Sequence, residues 1–442
     1  MQVRDHSVSL RLAAEARFIL LVQGVVEQGA AAFGLDRGKA LRLTMAAEEL
    51  LSHLAETSAG VAVDLTLTPG GWCVRADFSF VADPSDLWAM NLAAREDIGP
   101  GRSMDRLGLL LAARMSDGFE IRLDGRVVHL ELRQDHAYEA VTPRPVRAAD
   151  ARGEVRVVDD PEPALIREAC ALAVDHYPAH LVNETFFTPG KAVQMADRGD
   201  MTVALAVDGT GAPAGLMTWR SPSERSVGFC GPYVFVRGGG TAGKLEEWMF
   251  AAVARTRAVS LFSELATADL TAENYELLGR LPLGRPGLRG AMPADGAGQE
   301  GVELDILFRH LREDSGRAVW THPALRPFLE AAYDQLVLMR DIREVDHAGA
   351  DLPERSVFSA RLRPELGIAT LAPMVAGRDA DQAVADHVRT LTHDGYRSIL
   401  FRLDLAHGWQ AALAGSLVRG GFAPRLVLPD AGKSDMVVFL HG

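Results

Sequence analysis

The residues with the most chemical promise lie between Gly231 and Leu245, where the chain reads Gly-Pro-Tyr-Val-Phe-Val-Arg-Gly-Gly-Gly-Thr-Ala-Gly-Lys-Leu. Small residues at Gly238, Gly239, Gly240, Ala242 and Gly243 let backbone N–H groups approach an anion, and a helix opening near Gly243 turns its positive end toward the same place. Lys244 can add a contact to that anion. Glu264, at the end of the next strand, is the carboxylate best placed by sequence to take a proton from an attacking group. Asn183 and Glu184 are polar residues in position to line a pocket. Far upstream, Glu49 and His53 stand four apart in a helical stretch and so project from one face. Neither His322, His393, Asp394 and His407 nor the scattered Cys73, Cys170 and Cys230 have metal-ligand spacing. No metal site is expected, and the thiols read as reduced and buried.

Helical periodicity over 9–33 and 37–55 precedes two hairpins, 61–67 with 72–80 and 119–123 with 127–132, separated by a helical stretch at 106–116. Residues 134–153 are polar, Pro- and Arg-containing and aperiodic, which reads as a linker. A second region then begins: a strand at 155–158, helices at 161–176 and 189–198, and strands at 202–207, 213–219 and 227–236. The glycine turn follows, then a helix at 242–257, a strand at 259–263, a short helix at 272–278, a Gly/Pro-rich surface loop at 284–301 and a strand at 302–308. The last third repeats the order at low similarity: a helix at 322–338, strands at 356–362 and 367–375, a helix at 379–393, a strand at 398–404, a helix at 410–419 and a strand at 435–441. The expected fold is α+β/α/β multidomain, divided into 1–133, a linker at 134–153, then 154–312 and 313–442.

Leu43-Thr-Met-Ala-Ala-Glu-Glu-Leu-Leu-Ser-His53, Asp77-Phe-Ser-Phe-Val-Ala-Asp83-Pro84 and Asp105-Arg-Leu-Gly108-Leu109 resemble, in order, the three motifs of the GHKL ATPase fold of anti-sigma-factor serine kinases, a likeness covering about residues 5–133. The resemblance implies a GHKL-type α/β sandwich. It also implies Mg-ATP held by Glu49, by His53 in the magnesium-binding Asn position, by Asp77 against adenine and by Gly108 at the phosphates. The pattern departs from the family where chemistry is most demanding. An imidazole at His53 suits magnesium poorly, Ser79 replaces a glycine, and Asp105 sets a negative charge near the phosphates. A domain kept as a sensor or docking module fits these departures better than a serine kinase.

The Arg237-x-x-Gly240-x-Ala242 turn resembles the coenzyme A pyrophosphate loop of the GNAT acyltransferases. The resemblance implies acetyl-CoA or another acyl-CoA bound by Val234, Val236, Arg237, Gly238, Gly239, Gly240, Thr241, Ala242, Gly243 and Lys244, with strand amides polarising the acyl carbonyl. Thr271-Ala-Glu-Asn-Tyr275-Glu-Leu-Leu-Gly279 resembles the run in which a tyrosine protonates the leaving thiolate, which implies that role for Tyr275, with Glu264 as base. The last third, ending in Gly421-Phe422, is similar to the second half of the same fold. Asp379 and Asp381 stand there where pyrophosphate would lie, so it is expected to be a degenerate second GNAT-like unit, both mixed-sheet domains following the first.

With 46 basic and 59 acidic residues the formal charge is −13, and no basic block occurs, which argues against nucleic acid as a partner. Only four of the basic residues are Lys, so the abundance of Arg reads as compositional bias. No stretch has the length and apolarity of a membrane span or signal peptide, and a cytoplasmic protein is expected. The expected activity is transfer of an acyl group to an amine on a small molecule or protein, regulated by the first domain through a sigma factor or an anti-anti-sigma partner, with a homo-oligomer open. The alternatives are a non-catalytic partner-switching protein and a serine kinase.

Overall fold

The computed structural model describes residues 7–81, 91, 115–124, 126–144, 146, 148–283, 302–346, 352–363 and 366–442. The chain is an α+β multidomain protein with two compact units. One comprises Met1–Ala137, Gly349–Ala360 and Leu371–Thr390; the other comprises Tyr138–Ala348, Arg361–Thr370 and Leu391–Gly442.

In the first unit, β1 (Val8–Ala13), β2 (Ala62–Pro69), β3 (Cys73–Val81), β4 (Gly118–Asp124) and β5 (Val127–Asp135) form an antiparallel sheet of order β1-β2-β3-β5-β4. The helices α1 (Ile19–Ala32) and α2 (Arg37–Thr57) belong to its core. Asp36 caps α2 by accepting from Lys39 N–H at 2.9 Å. Alternation along β2 and β3 sends Leu65, Leu67, Ala76, Phe78 and Phe80 into that core with Leu43, Leu50 and Leu51 of α2. A helix over 9–33 is not what forms. Leu10 and Leu12 alternate with Ser9 and Arg11, this period-two run pairs with β2, and the helix begins only at Ile19. Most of the helix expected at 106–116 lies outside the described residues.

In the second unit, β6 (Ala149–Asp150) and β7 (Arg156–Val158) are followed by α3 (Pro163–His176) and α4 (Pro189–Arg198), then by β8 (Thr202–Val207), β9 (Pro213–Arg220), β10 (Ser226–Val234) and β11 (Val236–Arg237). Next come α5 (Thr241–Val253), β12 (Ser260–Ala266), β13 (Glu276–Leu283) and β14 (Val302–His310). The main sheet has order β13-β14-β12-β10-β9-β8-β7, with β10 and β12 parallel across the α5 connection. Cys170 and Val174 of α3 and Val193 of α4 pack on one face with Leu216, Cys230 and Tyr233, while Leu245 and Met249 of α5 pack on the other with Met217, Phe229 and Leu261. The stretch expected as a bare linker ends in structure, because β6 pairs in parallel with β11. The short helix expected at 272–278 is one 3₁₀ turn at 272–274 followed by β13, whose edge groups are satisfied by β14 rather than by a helical ladder. The 284–301 loop lies outside the described residues.

Farther on, β15 (Arg317–Thr321) pairs in parallel with β16 (Arg340–Glu344) on either side of α6 (Arg326–Gln335). The chain closes with β17 (Val357–Arg363), β18 (Ile368–Val375), α7 (Ala380–His393), β19 (Ser398–Asp404), α8 (Gly408–Ala412), α9 (Ala414–Arg419), β20 (Phe422–Leu428) and β21 (Met436–His441). Its sheet order is β17-β18-β19-β21-β20. Among the described residues no helix is long and apolar enough to cross a membrane, and no group of His, Cys, Asp and Glu could hold a metal ion.

Candidate functional site

The end of β10 leads through β11 into three consecutive glycines with positive φ, Gly238 at 81°, Gly239 at 73° and Gly240 at 62°. Only glycine adopts this run without strain, which is why the turn is built from it. A Cβ at Gly239 would lie 2.6 Å from Val155 Cγ2, whereas one at Gly238, Gly240 or Gly243 would meet nothing within 4 Å. The turn therefore packs at its middle and opens to space on either side. Gly240 precedes α5 with no side-chain cap, and the helix's own ladder starts with Lys244 N–H donating to the Gly240 carbonyl at 3.1 Å. The amides of Thr241, Ala242 and Gly243 are thus first-turn donors lacking an intrahelical partner, the arrangement that attracts an anion. Thr241 itself is buried. Two charges near the turn are already engaged: Lys244 Nζ donates to the Val155 carbonyl at 2.5 Å, and Arg237 pairs with Asp150 at 3.1 Å in the exposed β6–β11 bridge.

One step earlier, the Val234 N–H donates to the Tyr177 hydroxyl at 2.6 Å, and that hydroxyl donates to Asp269 at 2.5 Å. Burial and then the Asp269 bond hold the Tyr177 pKa above the ordinary tyrosine value. Val236 is half-buried against the α5 side of the sheet. Tyr275 points elsewhere. Its ring packs with Phe229 and Phe250, and its hydroxyl donates to the buried Glu246 carboxylate of α5 at 3.3 Å. Burial, with the Glu246 charge, pushes the Tyr275 pKa up. The hydroxyl that meets the backbone at the end of β10 is that of Tyr177, a residue not singled out above. Its only sequence signal is a tyrosine closing a helix immediately before Pro178.

Glu264 stands on the other face of the same sheet. The β10–β12 register jumps between Phe229, opposite Ser263, and Cys230, opposite Leu265, so Glu264 is the extra residue of a bulge. It is carried over Gly228, where a Cβ would lie 2.8 Å from its carboxylate oxygen. Arg220, opposite Gly228 on β9, grips the carboxylate through Nε at 3.1 Å and Nη2 at 2.9 Å. On the same face Asn183 Nδ2 approaches Cys230 Sγ at 3.6 Å, and Glu184 accepts from Arg361 and Arg363, each at 3.1 Å. Burial would raise the Glu184 pKa, but Arg363 and Arg361 outweigh it and hold the carboxylate below its usual range. The Cys230 thiol is pushed up by burial and is inert.

The nucleotide motif is not assembled among the described residues. Glu49 and the buried His53 belong to α2 on the helix-bearing face of the first sheet, while Asp77 alternates with Ala76 and Phe78 and so points from the opposite face. There Asp77 lies across from Glu131, itself across from Glu120. Burial raises the pKa of both Asp77 and Glu131 against the opposing charge of Arg75, with Glu120 adding to the rise. Gly108, Asp105, Asp83 and Pro84 lie outside the described residues. In the last third, Asp379 accepts from Ser356 N–H at 2.6 Å, and a Cβ at Gly377 would lie 2.3 Å from the Arg355 backbone. That turn is filled by its own chain.

No protein-family profile and no curated protein match the sequence. Among solved structures, the RsbU and RsbW domains of Rv1364c from Mycobacterium tuberculosis share 15% identity over 29% of this chain and 32% of that one, with a TM-score of 0.22. A GCN5-related N-acetyltransferase from Rhodopseudomonas palustris, titled aminotransferase, class II, shares 14% identity over 37% of this chain and 98% of that one, with a TM-score of 0.23. This chain thus spans about a third of the first protein and nearly all of the second. Both likenesses are slight, and the functional reading rests on the residues described above.

Proposed function

We propose that residues 154–312 form an acyl-CoA-dependent N-acyltransferase, with 313–442 as a degenerate GNAT-like companion. The observation that carries this reading is the open triple-glycine turn feeding the uncapped start of α5. The pyrophosphate of the acyl donor lies against the amides of Thr241, Ala242 and Gly243. Acyl-CoA supplies a thioester whose carbonyl carbon the acceptor amine attacks, the carbon–sulfur bond breaking as the sulfur takes a proton. Tyr177 is the hydroxyl at the strand end for that proton. Glu264 faces the acceptor side and takes the proton from the amine once Arg220 shifts its grip. Tyr275 fixes Glu246 and α5 behind the loop.

Gly243→Asp tests the reading with little risk to folding. The new Cβ has free space, and an acidic residue in a first helical turn is favourable to the helix, yet its charge faces the pyrophosphate. Calorimetric titration with acetyl-CoA should show saturable binding to the wild type and at least about tenfold weaker binding to the variant, with an unchanged or higher melting temperature. If the wild type takes up no acyl-CoA of any chain length, the proposal is wrong.

A second reading concerns the first unit. Because Glu49 and His53 lie on one face of its sheet and Asp77 on the other, it serves as a non-catalytic docking module for a sigma factor or its antagonist rather than a serine kinase. Mg-ATP should leave its melting temperature unmoved, and transfer of phosphate to a partner serine would overturn this.

A further inference from the structure

The strands β10 and β12 run side by side in parallel only as far as Gly231 and Ala266. Thr267 Oγ1 donates to the Pro232 carbonyl across the end of that pairing, and beyond it the two strands share no ladder. Successive peptide groups at the end of β10 face opposite ways. Phe235 N–H turns to the β9 side and donates to the Ala214 carbonyl at 2.9 Å, which leaves Val234 N–H facing the gap on the β12 side. One side chain fills that gap: the Tyr177 hydroxyl accepts from Val234 N–H at 2.6 Å and donates to the Asp269 carboxylate at 2.5 Å, just beyond the last paired residue of each strand. Two neighbouring tyrosines are held in contrasting ways. Tyr233 is fully buried, donates to the Leu181 carbonyl at 2.8 Å and accepts from Asn183 N–H at 3.2 Å, so it ties down the chain that follows Tyr177. Tyr177 is the first residue past α3, is half-buried, and ends on an exposed carboxylate. Its ring meets Tyr233 edge-on with centroids 5.1 Å apart. A change of rotamer at this one side chain would empty the gap without unpicking the segment behind it.

We propose that Tyr177 is a displaceable wedge in the gap between β10 and β12, with Asp269 as the positioning residue that holds it closed, and that the acyl donor enters by taking Val234 N–H from it. The gap lies immediately before β11 and the glycine turn in the chain, so a donor whose pyrophosphate rests on that turn carries its carbonyl-bearing arm along the end of β10. An amide or thioester carbonyl accepts from a backbone N–H as the tyrosine oxygen does, so the exchange leaves no buried donor unpaired. Once displaced, the hydroxyl is free to serve the leaving sulfur. Naming the entrant as an acyl donor rests on the acyltransferase reading; the wedge itself does not.

Tyr177→Phe keeps the ring and its contact with Tyr233 but offers Val234 no oxygen. In the full-length chain, calorimetric titration should show this variant binding acetyl-CoA about threefold to tenfold more tightly than wild type, because no bound hydroxyl has to leave first. Asp269→Ala, which removes the outer anchor, should tighten binding in the same direction by less; a purely structural aspartate would lower the melting temperature without any gain in affinity. The nucleotide half of coenzyme A, 3′-phospho-ADP, carries the pyrophosphate without the arm and should bind all three proteins alike. Hydrogen exchange read by mass spectrometry tests the wedge with no ligand present: the peptide containing Val234 should exchange at least about tenfold faster in Tyr177→Phe. Unaltered exchange there, or a wild type that binds acetyl-CoA beside a Tyr177→Phe that binds it no better, would overturn the wedge. An equal gain for 3′-phospho-ADP would overturn it as well, by moving the effect to the turn. Faster exchange at Val234 in Tyr177→Phe, with no acyl-CoA taken up by wild type or variant, would keep the wedge and remove the acyl donor as its displacer.

Discussion

Arg340 and Arg402 are both strand arginines of the second unit, and they stand in opposite electrostatic circumstances. Arg340 of β16 has no exposed side-chain surface and is surrounded by Asp314, Asp430 and Asp435, with Asp435 at 2.6 Å. Arg225 and Arg317 each reach Asp430 at 3.0 Å, so three arginines meet three carboxylates in a closed network. Arg402 of β19 is exposed and, among the described residues, makes no ion pair and no hydrogen bond. A buried cation with a full complement of partners is an architectural element, because removing it strands the charges left behind. A cation left exposed keeps its hydration and needs no protein partner. The comparison teaches that burial decides how many partners a strand arginine must have.

The sharpest way to break this comparison is Arg340→Met. It leaves buried carboxylates without their counter-ion and should cost about 3–5 kcal/mol in urea unfolding; a loss under about 1 kcal/mol would put Arg340 in the same class as a surface ion pair. Next in size is Gly228→Ala, whose methyl would press on the Glu264 carboxylate and should cost about 1–3 kcal/mol while loosening the Arg220 pair. Acid supplies a third measurement. Burial raises the Asp314 pKa, but the Arg340 hydrogen bond and charge win and hold it below the ordinary 3.8. A depressed folded-state pKa contributes stability that is present above the unfolded value of about 3.9 and is lost as pH falls through the folded one. Unfolding free energy of the second unit should therefore drop below about pH 4, and Arg340→Met should flatten that drop. The smallest expected effect is that of Arg402→Met, within about 0.5 kcal/mol of wild type or more stable. A clear destabilisation there would mean that Arg402 is structural after all.

Local patterns were legible in the sequence. Period-two alternation located β2, β3, β4 and β5, and the strand expected at 398–404 is β19 residue for residue. The glycine turn was legible because a run of positive φ admits almost nothing else. Misreadings arose where a local pattern served two structures: Leu10 and Leu12 fit a helix face until β2 supplies a partner, and Tyr275-Glu-Leu-Leu reads as helical until β14 claims it. The site's charge pairs were not legible. Glu184 meets Arg361 across 177 residues and Glu264 meets Arg220 across 44. Against a background in which nearly every basic residue is Arg, no single arginine stands out. Asp379 shows the converse. Sequence marks it as a charge unsuited to a phosphate turn, and the structure gives it Ser356 N–H to hold.

The β6–β11 pairing has a practical consequence for dissecting the chain. Composition suggests cutting after residue 153, yet such a fragment would lose Ala149 and Asp150, the strand partners of Val236 and Arg237, and with them the Ala151 N–H bond to the Arg237 carbonyl at 3.0 Å. The edge immediately before the glycine turn would be left bare, and weakened ligand uptake by the fragment would be an artefact of where the scissors fell. A cut at Tyr138 keeps that seam but takes Gly349–Ala360 and Leu371–Thr390 from the first unit, so only the full chain keeps both units whole.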